Sequence, residues 1–144
     1  MKEQNIEFAI AKNVFYNPEM QFCRSFCSLA VGAIEAKIKV LDAFSATGIR
    51  GIRYAKENKN VKEIDFLEAN DDAIPTLKKN LKKNKIKGKP IKQLYERHFV
   101  NGFLDYLDPP KKVGSIYPKP KDFGYDFVEI DPFGTPVLQL LFVE

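Results

Sequence analysis

The sequence predicts an α/β fold built on an open, mostly parallel sheet of the doubly wound type. Apolar, strand-like runs alternate with amphipathic, helix-like runs, a pattern typical of parallel strands joined by right-handed helical crossovers. Acidic residues lie near the carboxyl ends of three of the strand-like runs, at the sheet edge where folds of this type bind ligands. The 144 residues, 44% hydrophobic and 29% charged, suit one globular domain.

The elements are predicted from apolar spacing, helix-start residues and turn residues. The first third of the chain is predicted to contain an irregular stretch over 1–17, a helix from Pro18 with Met20, Cys23, Cys27, Val31 and Ile34 at helical spacing, a strand over Ile38–Phe44 and a loop over Ser45–Gly48. A helix to about Asn58, a strand over Val61–Leu67 and a helix capped by Asn70 or Asp71, with Ile74, Leu77 and Leu81 inside, are predicted next. The remainder is predicted to form a polar strand over 91–100, a short helix at 103–107, a proline-rich loop over 108–121, a strand over Asp126–Ile130 and a last helix opened by Pro136.

Composition excludes several classes of protein. No apolar run approaches the ~20 residues of a membrane helix, and the opening MKEQNIEFAI lacks the apolar region of a signal peptide. We therefore expect a cytoplasmic protein without membrane association. The two cysteines, Cys23 and Cys27, are predicted to be buried structural thiols, and with His98 far away we expect no metal site.

The positive charge of the chain is concentrated in one block. The net charge is +4, yet residues 78–92 carry eight lysines and no acidic residue, so the remainder is net acidic. Two interpretations stay open: a solvated helix face, or a surface that contacts nucleic-acid phosphates without reading sequence.

The segment Leu41–Gly51, LDAFSATGIRG, predicts a ligand-binding loop between a strand and a helix. Asp42 lies near the carboxyl end of the predicted strand, small residues allow close approach to the backbone, and amides at the helix start favour an anion such as an amino-acid carboxylate. Asp42 and Gly48 are candidate contacts. Gly48 and Gly51 do not form GxGxxG, which argues against a dinucleotide. The alternative is an ordinary strand-to-helix turn.

Glu68 lies at the carboxyl end of the second predicted strand. An acid at this place accepts hydrogen bonds from the ribose hydroxyls of a bound nucleoside. The alternative is a solvated acid near a helix start, a description that fits Asp71 and Asp72 better.

The sequence Asp131-Pro132-Phe133-Gly134 follows the last predicted strand. A carboxylate and a backbone carbonyl here suit the two N–H groups of a planar exocyclic amine, and the aromatic ring suits stacking on a base. The alternative is a turn with Phe133 in the core.

Together these segments resemble the amino-terminal part of the tRNA (guanine-26 N2)-dimethyltransferase (Trm1) family. The resemblance rests on VFYNPEMQFCR, DAFSATGIRGIR and DPFGTP, which occur in the family's order and span nearly the whole chain. It implies a Rossmann-like, class I methyltransferase that uses S-adenosylmethionine and acts on tRNA. Residues 1–37 would then precede a Rossmann-like core over 38–144.

The resemblance also implies cofactor contacts. Arg24 and Arg50 match family positions that bind the cofactor, and their guanidinium groups suit its carboxylate. Glu68 matches the ribose-binding acid, while Asn101 and Gly102 fall near the adenine position.

Asp131, Pro132 and Phe133 match the family's catalytic motif. The implied reaction is direct displacement at the sulfonium methyl, with Asp131 orienting the guanine N2 amine of a base extruded from the tRNA.

Relatives continue beyond this point with more of the sheet and a carboxyl-terminal tRNA-binding domain. We therefore expect the sheet to be incomplete and a separate polypeptide to be a possible partner. Two alternatives remain: another amino-methyltransferase acting on nucleic acid or protein, or a noncatalytic or split-half fragment that binds RNA through residues 78–92 or assembles with a second chain.

Overall fold

The computed structural model describes residues 1–99 and 124–132. In these ranges the chain forms β1 (Lys2–Glu3), β2 (Ile6–Glu7), a 3-10 turn (Pro18–Met20), α1 (Gln21–Gly32), β3 (Ile38–Asp42), α2 (Ile49–Glu57), β4 (Val61–Glu68), α3 (Ala73–Lys83), β5 (Lys89–Lys92) and β6 (Phe127–Glu129).

Four of these strands form one parallel sheet in the order β5-β4-β3-β6. The chain moves outward from β3 through β4 to β5, and β6 then lies on the opposite side of β3. The order therefore reverses between β3 and β6, which opens a crevice at their carboxyl ends. This topology confirms the predicted open, parallel α/β sheet.

Apolar side chains cover both faces of the sheet. Alternate residues of β3 point to opposite faces, so Val40 packs in one cluster with Tyr54 of α2 and Phe66 of β4. Leu41 packs in a second cluster, with Tyr95. Burial on both faces explains why the central strand β3 is mostly apolar.

The helix predicted from Pro18 is present, and Cys27, Val31 and Ile34 of its predicted apolar series pack in or against the core. Arg24 and Ser28 are buried as well, where they bind the acidic side chains of Glu3 and Glu57. The prediction of two buried cysteines is wrong: Cys23 is exposed and Cys27 is half-buried.

The apolar residues on the opposite side of α1 point away from the sheet. Phe22, Phe26 and Leu29 are 79%, 66% and 74% exposed. The polar contacts of Arg24 and Ser28, rather than apolar burial alone, thus set the rotation of this helix.

Other boundaries also differ from the predictions. The stretch predicted to be irregular contains the antiparallel β1–β2 pair. The strand predicted over 91–100 is β5, which ends at Lys92, and residues 95–99 are helical. The elements predicted at 103–107, 108–121 and from Pro136 lie outside the described residues. Among the helices that the structure describes, none is long and apolar enough to cross a membrane.

Candidate active site at the carboxyl end of the sheet

The loop after β3 is held in a tight turn. Ser45 donates its backbone N–H to Leu67 and its hydroxyl to the Asp42 carbonyl, at 3.0 and 2.7 Å. Gly48 has a φ of +78°, and a Cβ atom there would lie 2.5 Å from Leu77 Cδ1. Glycine is therefore required at the point where the loop enters α2.

Glu68 connects this loop to the next one. Its carboxylate accepts the Ala46 N–H at 2.6 Å and the Asn70 N–H at 2.7 Å. The side chain of Glu68 is thereby fixed at the end of β4, and each carboxylate oxygen has a further lone pair available for a ligand.

Arg50, in the first turn of α2, binds two acidic side chains at the end of β6. Its Nη1 lies 3.3 Å from Glu129 Oε1, and its Nη2 donates to Asp131 Oδ2. Burial by itself would lower the pKa of Arg50, but the charges of Glu129 and Asp131 outweigh it and raise that pKa. Glu129 also accepts the hydroxyl hydrogen of Tyr54.

Asp42 lies beneath the loop and is 2% exposed. Its Oδ2 accepts the Gly51 N–H at 3.0 Å, so it binds one of the free amides at the start of α2. Burial first, and then the charge of Glu129, raise the pKa of Asp42 to about 7.

Arg24 is held by the amino-terminal β1–β2 pair. Its Nη2 donates to Glu3 Oε2 at 2.7 Å, and its Nη1 donates to the Asn17 carbonyl at 3.2 Å. The ring of Tyr16 lies under the guanidinium, with the carbon Cζ 5.0 Å from the ring centre.

These elements surround a cavity of about 380 Å³. The lining residues come from residues 15–24, the loop after β3, the start of α2 and the ends of β4 and β6: Phe15, Tyr16, Asn17, Met20, Arg24, Phe44, Ser45, Ala46, Thr47, Ile49, Arg50, Glu68, Asp131 and Pro132.

The structure brings five of the predicted site residues to this cavity: Arg24, Arg50, Glu68, Asp131 and Pro132. Asp42 and Gly48 are buried and support the loop and the helix start from below. The predicted contacts Asn101, Gly102 and Phe133 lie outside the described residues.

Sequence reasoning missed two parts of the site. Phe15 and Phe44 contribute aromatic walls to the cavity, and Glu129 shares Arg50 with Asp131. The sequence signal for Glu129 was its position two residues before Asp131, because residues two apart on a strand share a face. No cluster of three or more metal-ligand side chains occurs in residues 1–99 and 124–132.

Comparison with known proteins identifies the family. A family model described as N2,N2-dimethylguanosine tRNA methyltransferase matches residues 1–141. A tRNA (guanine(26)-N(2))-dimethyltransferase of Sulfolobus acidocaldarius is 36% identical over 89% of this chain and 28% of its own length. The Thermococcus kodakarensis protein of the same name is 41% identical over 86% of this chain and 32% of its own.

A solved structure supports the same assignment. The Trm1 structure from Pyrococcus horikoshii with S-adenosyl-L-methionine superposes with a TM-score of 0.66 at 25% identity. The alignment covers 97% of this chain and 37% of that one. This chain thus spans between 28% and 37% of the length of these relatives. The resemblance inferred from the three motifs is confirmed, and the chain belongs to the N2,N2-dimethylguanosine tRNA methyltransferase family.

Proposed function

We propose that this chain binds S-adenosylmethionine in the cavity at the end of the sheet and catalyses methylation of the N2 amine of guanine 26 in tRNA. One observation carries the proposal. Glu68, Arg50 and Asp131 come from three different elements, yet their side chains line a single cavity. An acceptor for ribose, a cation for a carboxylate and an acceptor for an amine are thus next to one another.

The side chains around the cavity fit the proposed cofactor. The volume of about 380 Å³ lies in the range of small-molecule sites, roughly 300–1,000 Å³. The carboxylate of Glu68 would accept the ribose hydroxyls, and Arg24 and Arg50 would bind the methionine carboxylate. Asn101 and Gly102 are proposed to lie near the adenine. Asp42 and Gly48 would act from beneath by supporting the loop.

Asp131 is the proposed catalytic residue. Bound S-adenosylmethionine supplies an electrophilic methyl group on a sulfonium. Asp131 would accept one N–H of the guanine amine, the carbonyl of Pro132 would accept the other, and Phe133 would stack on the base. As the amine nitrogen gains positive charge, the carboxylate of Asp131 stabilises it and accepts the proton that leaves.

Arg50 suits this role of Asp131 because it holds the carboxylate from one side. The Asp131 side chain is half exposed and lines the cavity, which leaves it accessible to a base extruded from the tRNA. A location in the cytoplasm is part of the proposal, since the relatives' names designate tRNA as substrate.

Cofactor binding is tested by calorimetry on the chain with S-adenosylmethionine. Glu68→Ala should weaken binding by roughly 10- to 100-fold, the effect of losing hydrogen bonds to a charged acceptor. Glu63→Ala is the matched control, because Glu63 lies on the same strand and is exposed to solvent. Equal affinity of the two variants would contradict the proposed role of Glu68.

Catalysis is tested by methyl transfer to a tRNA transcript with guanine 26. Asp131→Ala should lower the rate by about 10²- to 10⁴-fold, and a transcript with adenine at position 26 should accept no methyl group. Full activity of Asp131→Ala would refute its assignment. Binding of S-adenosylmethionine without transfer would favour the alternative that a separate polypeptide supplies the additional segments of the longer relatives.

A further inference from the structure

Every exposed residue between positions 78 and 92 is a lysine. We call this surface the basic face; it consists of Lys78, Lys79, Lys82, Lys83, Lys85, Lys87, Lys89 and Lys92. The remaining residues of the segment are buried or half-buried. The basic face thus has no exposed apolar residue among its cations.

Buried contacts hold α3 in the orientation that exposes these lysines. Leu77 and Leu81 pack on the sheet side. Asn80 Nδ2 donates to the carbonyls of Ala9 and Thr47, at 2.9 and 2.8 Å. A helix of this length is about 16 Å long, so the lysines of α3 form an extended array of cations on a fixed backbone.

Neighbouring acidic residues neutralise little of this charge. In the part of the chain that the structure describes, Lys83 pairs with Glu7 at 2.8 Å and Lys92 pairs with Asp71, and both pairs are largely exposed. Exposed ion pairs exchange readily with solvent and with other ions. The rest of the chain is net acidic, which leaves the positive potential concentrated here.

The basic face begins at the cavity. In the β4–β5 pairing, Lys92 lies opposite Glu68, which lines the cavity, and Lys89 lies opposite Asp65 further down the strand. β5 is the outer strand of the described sheet on this side. A polyanion bound along β5 and α3 would therefore reach the site.

We propose that the basic face binds the phosphodiester backbone of the RNA substrate next to the cavity. The identification of this RNA as tRNA rests on the proposed function. Lysine is a point charge that contacts phosphates without reading bases. An acidic protein is a poorer fit, because protein interfaces are depleted in lysine and have an apolar core.

The test measures binding of a fluorescent tRNA transcript to the full chain over a series of salt concentrations. The variant carries Lys78→Gln, Lys79→Gln, Lys82→Gln and Lys85→Gln, since glutamine keeps helix propensity. The matched control carries Lys12→Gln, Lys37→Gln, Lys56→Gln and Lys59→Gln, four exposed lysines outside the block. Both variants undergo the same change in net charge.

The basic-face variant should bind RNA at least ~10-fold more weakly than the control, and its plot of log K against log salt should be flatter by about 3 units. Equal affinities and slopes for the two variants would overturn the proposal. The proposal would also be overturned if polyglutamate, or vesicles containing phosphatidylserine, bound the parent chain as tightly as the RNA does.

Calorimetry with S-adenosylmethionine separates this proposal from the proposed function. The basic-face variant should bind the cofactor like the parent, which also shows that it is folded. Loss of RNA binding in a chain that never binds S-adenosylmethionine would support the basic face while refuting the proposed function.

Discussion

Arg50 brings together acidic side chains that would otherwise repel one another. It lies between Glu129 and Asp131, and the charges of both residues also act on the buried Asp42. Burial first, and then the negative charge of Glu129, raise the pKa of the Asp42 carboxyl group. The guanidinium of Arg50 lets Glu129 and Asp131 stay close together, while Asp42 is the group whose pKa is raised.

Asp42 should therefore make stability depend on pH. Its pKa is about 7 in the folded chain and about 3.9 when unfolded. Between these values the folded state holds a proton that the unfolded state has lost, so the free energy of unfolding falls as pH rises, by about 1.4 kcal/mol per unit of pKa shift.

Asp42→Asn should remove this dependence, because an amide keeps the acceptor oxygen for the Gly51 N–H and does not ionise. The pH dependence of the unfolding free energy is measured by urea denaturation at several pH values between about 4 and about 8. The difference in unfolding free energy between variant and parent should shift in favour of the variant as pH rises. A constant difference would show that Asp42 does not titrate in this range.

At the scale of elements, the start of α2 lies unusually close to the sheet. A Cβ atom on Gly51 would lie 2.5 Å from Phe66 Cε1 and 2.9 Å from Asp42 Oδ2. This close approach lets Asp42 reach the helix amides, and the neighbouring Arg50 contacts Glu129 and Asp131 at the end of β6. The position of the helix start, and with it the pairing of Arg50 with Glu129 and Asp131, thus depends on the close approach of the Gly51 backbone to the sheet.

Gly51→Ala should destabilise the chain by about 1–3 kcal/mol, since overpacking outweighs the helix propensity of alanine, which is worth about 1 kcal/mol. Gly124→Ala is the control: a Cβ there meets nothing within 4 Å. Urea denaturation compares the two variants. A Gly51→Ala chain as stable as the Gly124→Ala chain would mean that α2 can move away from the sheet without cost.

At the scale of the whole molecule, a buried charge network joins the amino-terminal strands to the helices. Glu3 accepts hydrogen bonds from Arg24 of α1 and Arg53 of α2, at 2.7 and 2.9 Å. Burial alone would raise the pKa of Glu3, but Arg24 and then Arg53 outweigh it and lower that pKa. The network closes one side of the cavity, because Arg24 is part of its lining.

Glu3→Gln should cost about 3–5 kcal/mol at neutral pH, because it leaves the buried guanidinium of Arg24 without its carboxylate partner, whereas Arg53 keeps its pair with Glu57. In the parent this contribution is present above the unfolded pKa of about 4.3 and is lost as pH falls through the lower folded pKa. Denaturation in urea provides the measurement, with Glu7→Gln as control, since Glu7 makes an exposed pair with Lys83. Equal stability of both variants would contradict a buried network.

The sequence by itself determined the alternation of strands and helices, the parallel sheet, the family and the strand ends that carry Glu68 and Asp131. These features are local: apolar periodicity, turn residues and short motifs act over a few neighbouring residues. The ends of neighbouring parallel strands meet at one edge, so a shared cavity for Glu68 and Asp131 followed from the predicted topology.

Only the tertiary structure decided which partners the charged side chains bind. Arg50 pairs with Asp131 across 81 positions of sequence, and Arg53 pairs with Glu3 across 50. It also decided that α1 turns Arg24 inward and leaves Cys23 exposed. A helix rotates to satisfy buried charges as well as apolar contacts, and those charges come from segments whose proximity no local pattern records.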